Sequence, residues 1–461
     1  MKIKFGTDGF RGYIGKDFTF DRATKVATMA LSYFKREKKN DVAIGYDTRF
    51  LSKEVAYEIA KKSEECGYKT FLSDKFIPSP ALSLYTHCNK VGFGIMITAS
   101  HNPPQFNGVK IKENYGGSAL TETMEGIAKT DNVSASTGEK GVIISENIRQ
   151  FYLNFMKKTF NTSANKQHFK ILVDPMFGAS QGILSEIFAK TKVEVTEING
   201  TINPSFGGVN PEPTEENLLK TQMQMSYSNY DVGFAFDGDG DRISAFDEEG
   251  NFYSSQRLLP LLLHYLVTVK KEKGVVVKTV STSSMLKKVA EKHRLVLEEV
   301  PIGFKNIVPF FLSGKALIGG EESGGIAMKG YIPERDGVYC ALMLLEVMKH
   351  YKKPLSLIWK DIEDLYGRYV FKREDYHFEN EDKVRKILDR LDFDEIAGFK
   401  VKEKKFIDGR KFIFGEDNFL LVRVSGTEPV VRVYCECENK ERLKKVFNWI
   451  KKILREKGVS C

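Results

Sequence analysis

Two rhythms of apolar residues divide this chain. Short unbroken runs read as strands buried on both faces: Gly92-Phe93-Gly94-Ile95-Met96-Ile97 predicts one of the parallel-sheet kind, and Phe234-Ala235-Phe236 and Ala316-Leu317-Ile318 read in the same way. Elsewhere the period lengthens to that of a helix, with Ala23, Val26, Ala27, Ala30, Leu31 and Phe34 on one face of a helix predicted to start near Thr19. A strand, a loop and a helix start follow one another three times. Val42 to Arg49 leads to Ser52, read as the cap of a helix ending at Gly67; Ile171 to Asp174 leads to Ser180; Val275 to Lys278 leads to Ser284. Each opening is followed by a second apolar strand that ends in a polar loop. The loops are Thr98-Ala99-Ser100-His101, Asp237-Gly238-Asp239-Gly240-Asp241 and Gly320-Glu321-Glu322-Ser323-Gly324. This order predicts one α/β unit used three times, each copy delivering a different chemistry from the same strand end.

The small, polar run Asn132 to Gly138 loses the pattern before a helix predicted over Ile144–Phe160, which places a first boundary near 150. Asn203 to Pro213 reads as a rigid, ordered loop, its three prolines limiting the unfolded chain. From Arg368 the pattern becomes a strand, a helix from Asn380 to Leu391, strands rich in aromatics, and a last amphipathic helix from Asn439 to Lys457. Four domains follow, 1–150, 151–255, 256–367 and 368–461, the last of α+β build.

Composition narrows the class of protein. Of 461 residues 42% are hydrophobic and 28% charged, as in ordinary globular proteins. No apolar run reaches the ~18 residues of a membrane helix, and the first residues lack a signal-peptide core, so a cytoplasmic protein without membrane contact is expected. Six scattered cysteines without a C-x-x-C pair point to neither zinc nor disulfides. A net charge of +9 suits an anionic substrate, and without a basic block or clustered aromatics it does not suggest nucleic acid.

The polar loops carry the candidate chemistry. Ser100 ends a strand on a turn stiffened by Asn102, Pro103 and Pro104, the position of a nucleophile, although His101, adjacent in sequence, would not normally face it. Three carboxylates at alternate positions, Asp237, Asp239 and Asp241, repel strongly unless a divalent cation with oxygen ligands lies among them. An EF-hand is excluded, since Arg242 stands where the calcium loop needs glycine and strands flank the loop. An aspartyl-nucleophile phosphatase also places Asp-x-Asp after a strand. Finally, Arg423, Ser425, Gly426 and Thr427 with Arg432 beyond them suit a phosphate that is bound but not transferred.

Thr98-Ala99-Ser100-His101-Asn102-Pro103 resembles the signature of the α-D-phosphohexomutases, and five separated motifs extend the resemblance over the whole chain. It implies an α/β protein: three similar α/β domains with mixed sheets between helices, then a C-terminal α+β domain with an antiparallel sheet and helices. It further implies that Ser100 carries a phosphoryl group with Arg11 reaching it, and that one Mg²⁺ is held by Asp237, Asp239, Asp241 and a Ser100 phosphate oxygen. Arg242, Lys305, Glu321 and Ser323 would bind the sugar phosphate, and Arg423, Ser425, Gly426, Thr427 and Arg432 its second phosphate. Two positions depart from the pattern: Gly325 stands where relatives often carry a histidine considered an acid/base, and Val424 where a proline often precedes the serine. His101 and Lys110 are the remaining acid/base candidates.

The activity implied is interconversion of hexose 1-phosphate and hexose 6-phosphate, with a hexose 1,6-bisphosphate as intermediate and activator. Pro301-Ile302-Gly303-Phe304-Lys305 resembles the segment that tunes sugar preference, in a form closer to phosphoglucomutases than to glucosamine-phosphate mutases. Mannose or glucosamine phosphate remains open as the substrate, as do a Mg²⁺-dependent phosphatase and a phosphosugar-binding protein without turnover. The chain would work as a monomer or a homo-oligomer, its last domain acting as a hinged lid.

Overall fold

A computed structural model describes residues 6, 9–130, 139–162, 167–378, 381–426 and 429–459. Thr427, Asn380, Cys461 and the polar run Asn132–Gly138 lie outside these described residues.

The threefold repetition is realised as three sheets with the same strand order. In the first, Lys69–Ser73, Asp41–Tyr46 and Phe93–Ile97 lie parallel and Phe106–Glu113 closes antiparallel beside the third. Val193–Glu197, Phe169–Asp174, Val232–Phe236 and Ile243–Phe246 repeat this order. So do Leu297–Val300, Val275–Thr279, Ala316–Gly320 and Ile326–Met328. The strand from Phe93 is buried throughout as expected, but its environment is mixed, with an antiparallel neighbour on one side. In every copy the polar loop leaves the carboxyl end of the third strand and returns in the antiparallel fourth. That is the edge of an α/β sheet where ligands bind.

The fourth sheet is built differently: six antiparallel strands run in the order Val370–His377, Val430–Cys437, Asn418–Val424, Arg410–Phe414, Phe399–Lys405, Glu395–Ile396. The amphipathic helix Lys440–Glu456, capped by Asn439, buries Leu443, Val446, Phe447, Ile450 and Leu454 against it.

Local chemistry corrects several helix starts. Thr19 caps Phe20–Arg36 as predicted, but Ser52 is the first residue of its helix rather than the cap. Leu51 holds the cap with φ 65°, and the Ser52 hydroxyl donates to Asp47 Oδ1 at 2.7 Å. In the second unit the helix Ile183–Phe188 starts after Gly182, beyond Ser180, and in the third Ser283 caps Ser284–Lys292. The stretch predicted as one helix from Ile144 is a strand, Val142–Glu146, then a helix, Ile148–Thr159, started by Asn147. The β-branched run Val142-Ile143-Ile144 favours the strand, which pairs with Lys69–Ser73 at the edge of the first sheet.

The first three sheets each turn one face to a shared core, and the first unit adds a core of its own around Val42, Ile44, Phe93 and Ile97. A single buried cluster runs from Ala81 and Leu82 through Tyr152 and Met156 to Ile171, Phe234, Leu262, Ile318 and Leu344. The C-terminal sheet has its own core and meets the third unit through a small cluster of Val280, Phe419, Leu421 and Tyr434. Among the described residues, no helix is long and apolar enough to cross a membrane.

Candidate active site

Ser100 sits where the strand Phe93–Ile97 ends, in the left-handed region with φ 53°. That backbone costs a non-glycine residue about 1–2 kcal/mol, so something must hold it. Arg49 supplies the hold. Its buried guanidinium donates to the carbonyls of Ser100 and Asn102 at 2.6 Å each and of Pro103 and Phe106 at 3.0 Å each, while Asp47 lies 3.3 Å from Nε. The Arg49 guanidinium also stacks over the Phe206 ring, 4.8 Å from its centre, within the Asn203–Pro213 loop. Gly238 approaches from the neighbouring loop so closely that a Cβ there would lie 2.4 Å from the Ser100 carbonyl oxygen.

So held, Ser100 Oγ donates to Asp237 Oδ2 at 2.8 Å. His101 does face it, contrary to expectation: Nδ1 lies 3.4 Å from Oγ, because the left-handed turn brings adjacent side chains together. Burial and then the charges of Arg242, Arg11, Lys110 and Arg432 push the His101 pKa well down, so its imidazole is neutral at pH 7. Arg11 reaches the same loop, donating to Asn102 Oδ1 at 2.7 Å.

The three aspartates converge with ligand atoms within 4.8 Å of one another, all buried. Asp237 Oδ1 accepts from the Arg242 amide at 3.1 Å, Asp239 Oδ2 from Ser79 Oγ at 2.5 Å and Lys110 Nζ at 2.7 Å, and Asp241 Oδ2 from Lys110 at 3.2 Å. Burial, then Asp241 and Asp239, push the Asp237 pKa well up; burial also acts on Asp239, but Lys110 and Ser79 hold its carboxyl below the usual carboxylate range. Asp239 Oδ1 and Asp241 Oδ1 are buried without a hydrogen-bond donor among the described residues. An all-oxygen set with two orphaned carboxylate oxygens fits a hard divalent cation such as Mg²⁺. Lys110, a candidate acid/base, is thus committed to the carboxylates.

Beside this buried centre opens a cleft whose walls include Arg11, His101, Arg242, Lys305, Glu321, Ser323, Arg423, Ser425, Gly426 and Arg432. Every predicted substrate residue among the described ones therefore faces one space. Glu321 Oε1 accepts from the Gly303 amide at 3.0 Å, and Oε2 lies 3.6 Å from Arg335 Nη1. Arg335 also pairs with Asp241 at 2.9 Å, so one guanidinium joins the cleft carboxylate to the aspartate centre. It accounts for Gly325 as well, since a Cβ at that position would fall 2.3 Å from Arg335 Cδ: the arginine fills the space a side chain there would need.

Sequence reasoning missed Arg49, Ser79, Glu212, Arg335 and Arg373. Glu212 pairs with Arg242 at 3.0 Å and Arg373 with Glu322 at 3.5 Å. Arg49 left a trace as a charged pair with Asp47 at the end of a buried strand, where an isolated charge is costly, and Arg335 left one in the Arg335-Asp336-Gly337 segment that follows the glutamate loop.

Comparison with known proteins supplies the remaining finding. Residues 2–137, 150–250 and 254–366 match the family descriptions "Phosphoglucomutase/phosphomannomutase, alpha/beta/alpha domain" I, II and III, and residues 377–453 match the C-terminal domain of the same family. A phosphoglucosamine mutase of Dictyoglomus turgidum is 32% identical over 95% of this chain and 94% of its own length. A phosphoglucomutase/phosphomannomutase of Thermococcus kodakarensis is 29% identical over 98% of each. The crystal structure of a protein provisionally designated a phosphomannomutase, from Thermus thermophilus, superposes with a TM-score of 0.88 at 30% identity, covering 99% of both chains.

Proposed function

Since the chain belongs to the phosphoglucomutase/phosphomannomutase family of phosphohexomutases, we propose that it interconverts hexose 1-phosphate and hexose 6-phosphate, with glucose as the preferred sugar, through a phosphoserine at Ser100. The observation that carries this reading is the Ser100 hydroxyl, held 2.8 Å from Asp237 by a strained turn beside an arginine-lined cleft.

In the first half-reaction the phosphorus–Oγ bond of phosphoserine breaks and a bond to the free sugar hydroxyl forms. His101, neutral and next to Ser100, takes the hydroxyl proton and delivers it to the departing Ser100 oxygen, which leaves as the free serine hydroxyl. Arg11 steadies the transferring group, whose three oxygens match its fork. Asp237, Asp239 and Asp241, with a phosphoserine oxygen, would hold one Mg²⁺, which when bound neutralises charge on that group. The resulting 1,6-bisphosphate turns over in the cleft and returns its other phosphate to Ser100; added from outside, the same molecule primes the serine. Arg423, Ser425, Gly426, Thr427 and Arg432 grip whichever phosphate is not being transferred, so one fixed loop serves both halves of the cycle. Glu321 and Ser323 read the sugar hydroxyls.

Gly303-Phe304-Lys305 supports glucose. The Dictyoglomus relative supports glucosamine phosphate as a second reading. A coupled assay across glucose, mannose and glucosamine 1-phosphates, with free phosphate measured in parallel and a chelator arm, decides between them. Turnover greatest with glucose 1-phosphate, lost in the chelator and without phosphate release, is expected; stoichiometric phosphate release would make the protein a phosphatase.

A further inference from the structure

The seam between the C-terminal sheet and the third unit contains a carboxylate that the chemistry so far leaves without a task. Asp408 lies in the turn between the strands Phe399–Lys405 and Arg410–Phe414. Its two oxygens serve different domains. Oδ1 accepts from Arg423 Nε at 3.2 Å, at the strand end that lines the phosphate side of the cleft; Oδ2 accepts from the Ile302 amide at 3.0 Å, in the loop that lines the sugar side. The turn is seated tightly: Gly409 has φ 92°, and a Cβ there would come within 2.6 Å of Arg423 Cβ.

The loop that Asp408 grips draws its support from two domains. Gly303 has φ 118°, a conformation L side chains rarely adopt, and its amide, one residue beyond the Asp408 contact, donates to Glu321 Oε1 at 3.0 Å. Asn306 Nδ2 holds the carbonyls of Pro301 and Ile302 at 3.2 and 3.3 Å. The Ile302 side chain packs against a cluster in which Phe419, Leu421 and Tyr434 come from the C-terminal sheet. Much of the loop's support therefore belongs to a different domain from the loop itself. The same loop fixes one oxygen of Glu321, whose other oxygen faces Arg335 and through it Asp241.

We infer that Asp408 is a positioning residue: it ties the phosphate-gripping Arg423 to the loop that aims Glu321, so the sugar is read only once the C-terminal domain is seated over its phosphate. The inference rests on the mutase reading above and adds the coupling between its two binding elements. A carboxylate is the suitable group, since it can accept from a guanidinium and an amide on opposite sides at once, each bond strengthened by its charge.

The test compares the wild-type chain with Asp408→Ala and Asp408→Asn, each checked by a melting curve. Steady-state constants are measured for glucose and mannose 1-phosphates, and calorimetric binding for the corresponding 6-phosphates. In Asp408→Ala, KM should rise about tenfold with kcat changing less, and the preference between the two sugars should shrink several-fold. Asp408→Asn, which keeps one accepting oxygen, should fall between. A merely structural role would weaken both sugars equally, and an unchanged preference in a folded variant overturns the inference while leaving the mutase reading intact. If the wild type binds hexose phosphates but turns none over, the mutase reading fails and the calorimetric preference still decides on Asp408. If it binds neither sugar phosphate, both readings fall. Should Asp408→Ala not fold, Asp408→Asn alone carries the decision.

Discussion

The two sides of the cleft are held by different means. On the side of Ser100 and the aspartates, three sheets share one apolar core and are stitched by buried polar contacts between units: Ser79 to Asp239 at 2.5 Å, Lys112 to Glu334 at 2.6 Å, Thr48 Oγ1 to the Phe177 carbonyl at 2.8 Å and Arg335 to Asp241 at 2.9 Å. On the side of Arg423 and Arg432, a sheet with its own core follows Gly367 and reaches the third unit through a small apolar cluster and charged pairs, among them Lys411–Glu299 at 2.7 Å and Lys287–Asp417 at 2.8 Å. Ser100 and the aspartates thus stand where moving one unit would open a common core, whereas Arg423 and Arg432 belong to a body with its own core and a small apolar contact to the rest. We propose that this division lets the C-terminal domain open for substrate and close to exclude water while Ser100 keeps its place.

Three changes sharpen the contrast. The largest effect is expected on the rigid side. Arg49→Lys replaces a planar fork that serves four carbonyls with a point charge, so kcat should fall on the order of a hundredfold as the Ser100 turn relaxes, with KM nearly unchanged. Rapid-quench measurement of phosphoryl transfer to and from Ser100 checks it; a loss confined to KM would place Arg49 outside the account. On the side of the arginine loop, Arg432→Ala should cut kcat/KM by roughly ten- to a hundredfold through the lost phosphate grip, yet leave Ser100 able to accept a phosphate from excess bisphosphate. Equal loss of both functions would contradict the division.

The smallest effect concerns the seam. Burial, then the Lys278 charge, push the Lys411 pKa down to about 7, although Glu299 pulls the other way. Released from the seam, the amine returns toward its ordinary ~10.4. Between those values the seated form binds fewer protons than the released one, so seating is weakest below pH 7 and tightens as pH rises toward 10. Solution scattering without substrate should therefore show a more compact chain at pH 9 than at pH 6.5, and Lys411→Met should remove that dependence.

What the sequence disclosed and what it hid follow one physical line. Ser100, the three aspartates and the arginine loop were legible as candidates because each group lies on a short stretch at a strand end, and the periodicity of the preceding strand announces that end; Glu321 was legible through the family resemblance. The threefold repeat was legible for the same reason. Arg49, Arg335 and Asp408 were not: each acts on partners far off in sequence, and a lone arginine or aspartate in a loop reads as a solvated charge until the fold buries it. The strand Val142–Glu146 was missed because Ile144, Ile148, Phe151 and Tyr152 fall on a helical period across the polar residues Ser145, Glu146 and Asn147, so one helix fits the combined stretch. Ser52 read as a cap because serine before an amphipathic run usually is one; here the buried Asp47 competes for its hydroxyl.

The central claim, that Ser100 on the rigid side carries the phosphoryl group, is tested most directly by locating that group. The wild-type chain is incubated with glucose 1,6-bisphosphate labelled in its phosphates, digested, and mapped by mass spectrometry, with Ser100→Ala alongside. Label on the Ser100 peptide, stable to hydroxylamine, chased into hexose phosphate by added glucose 1-phosphate and absent from Ser100→Ala, is the predicted result; hydroxylamine-labile label on Asp237, or label in Ser100→Ala that still chases, would contradict it.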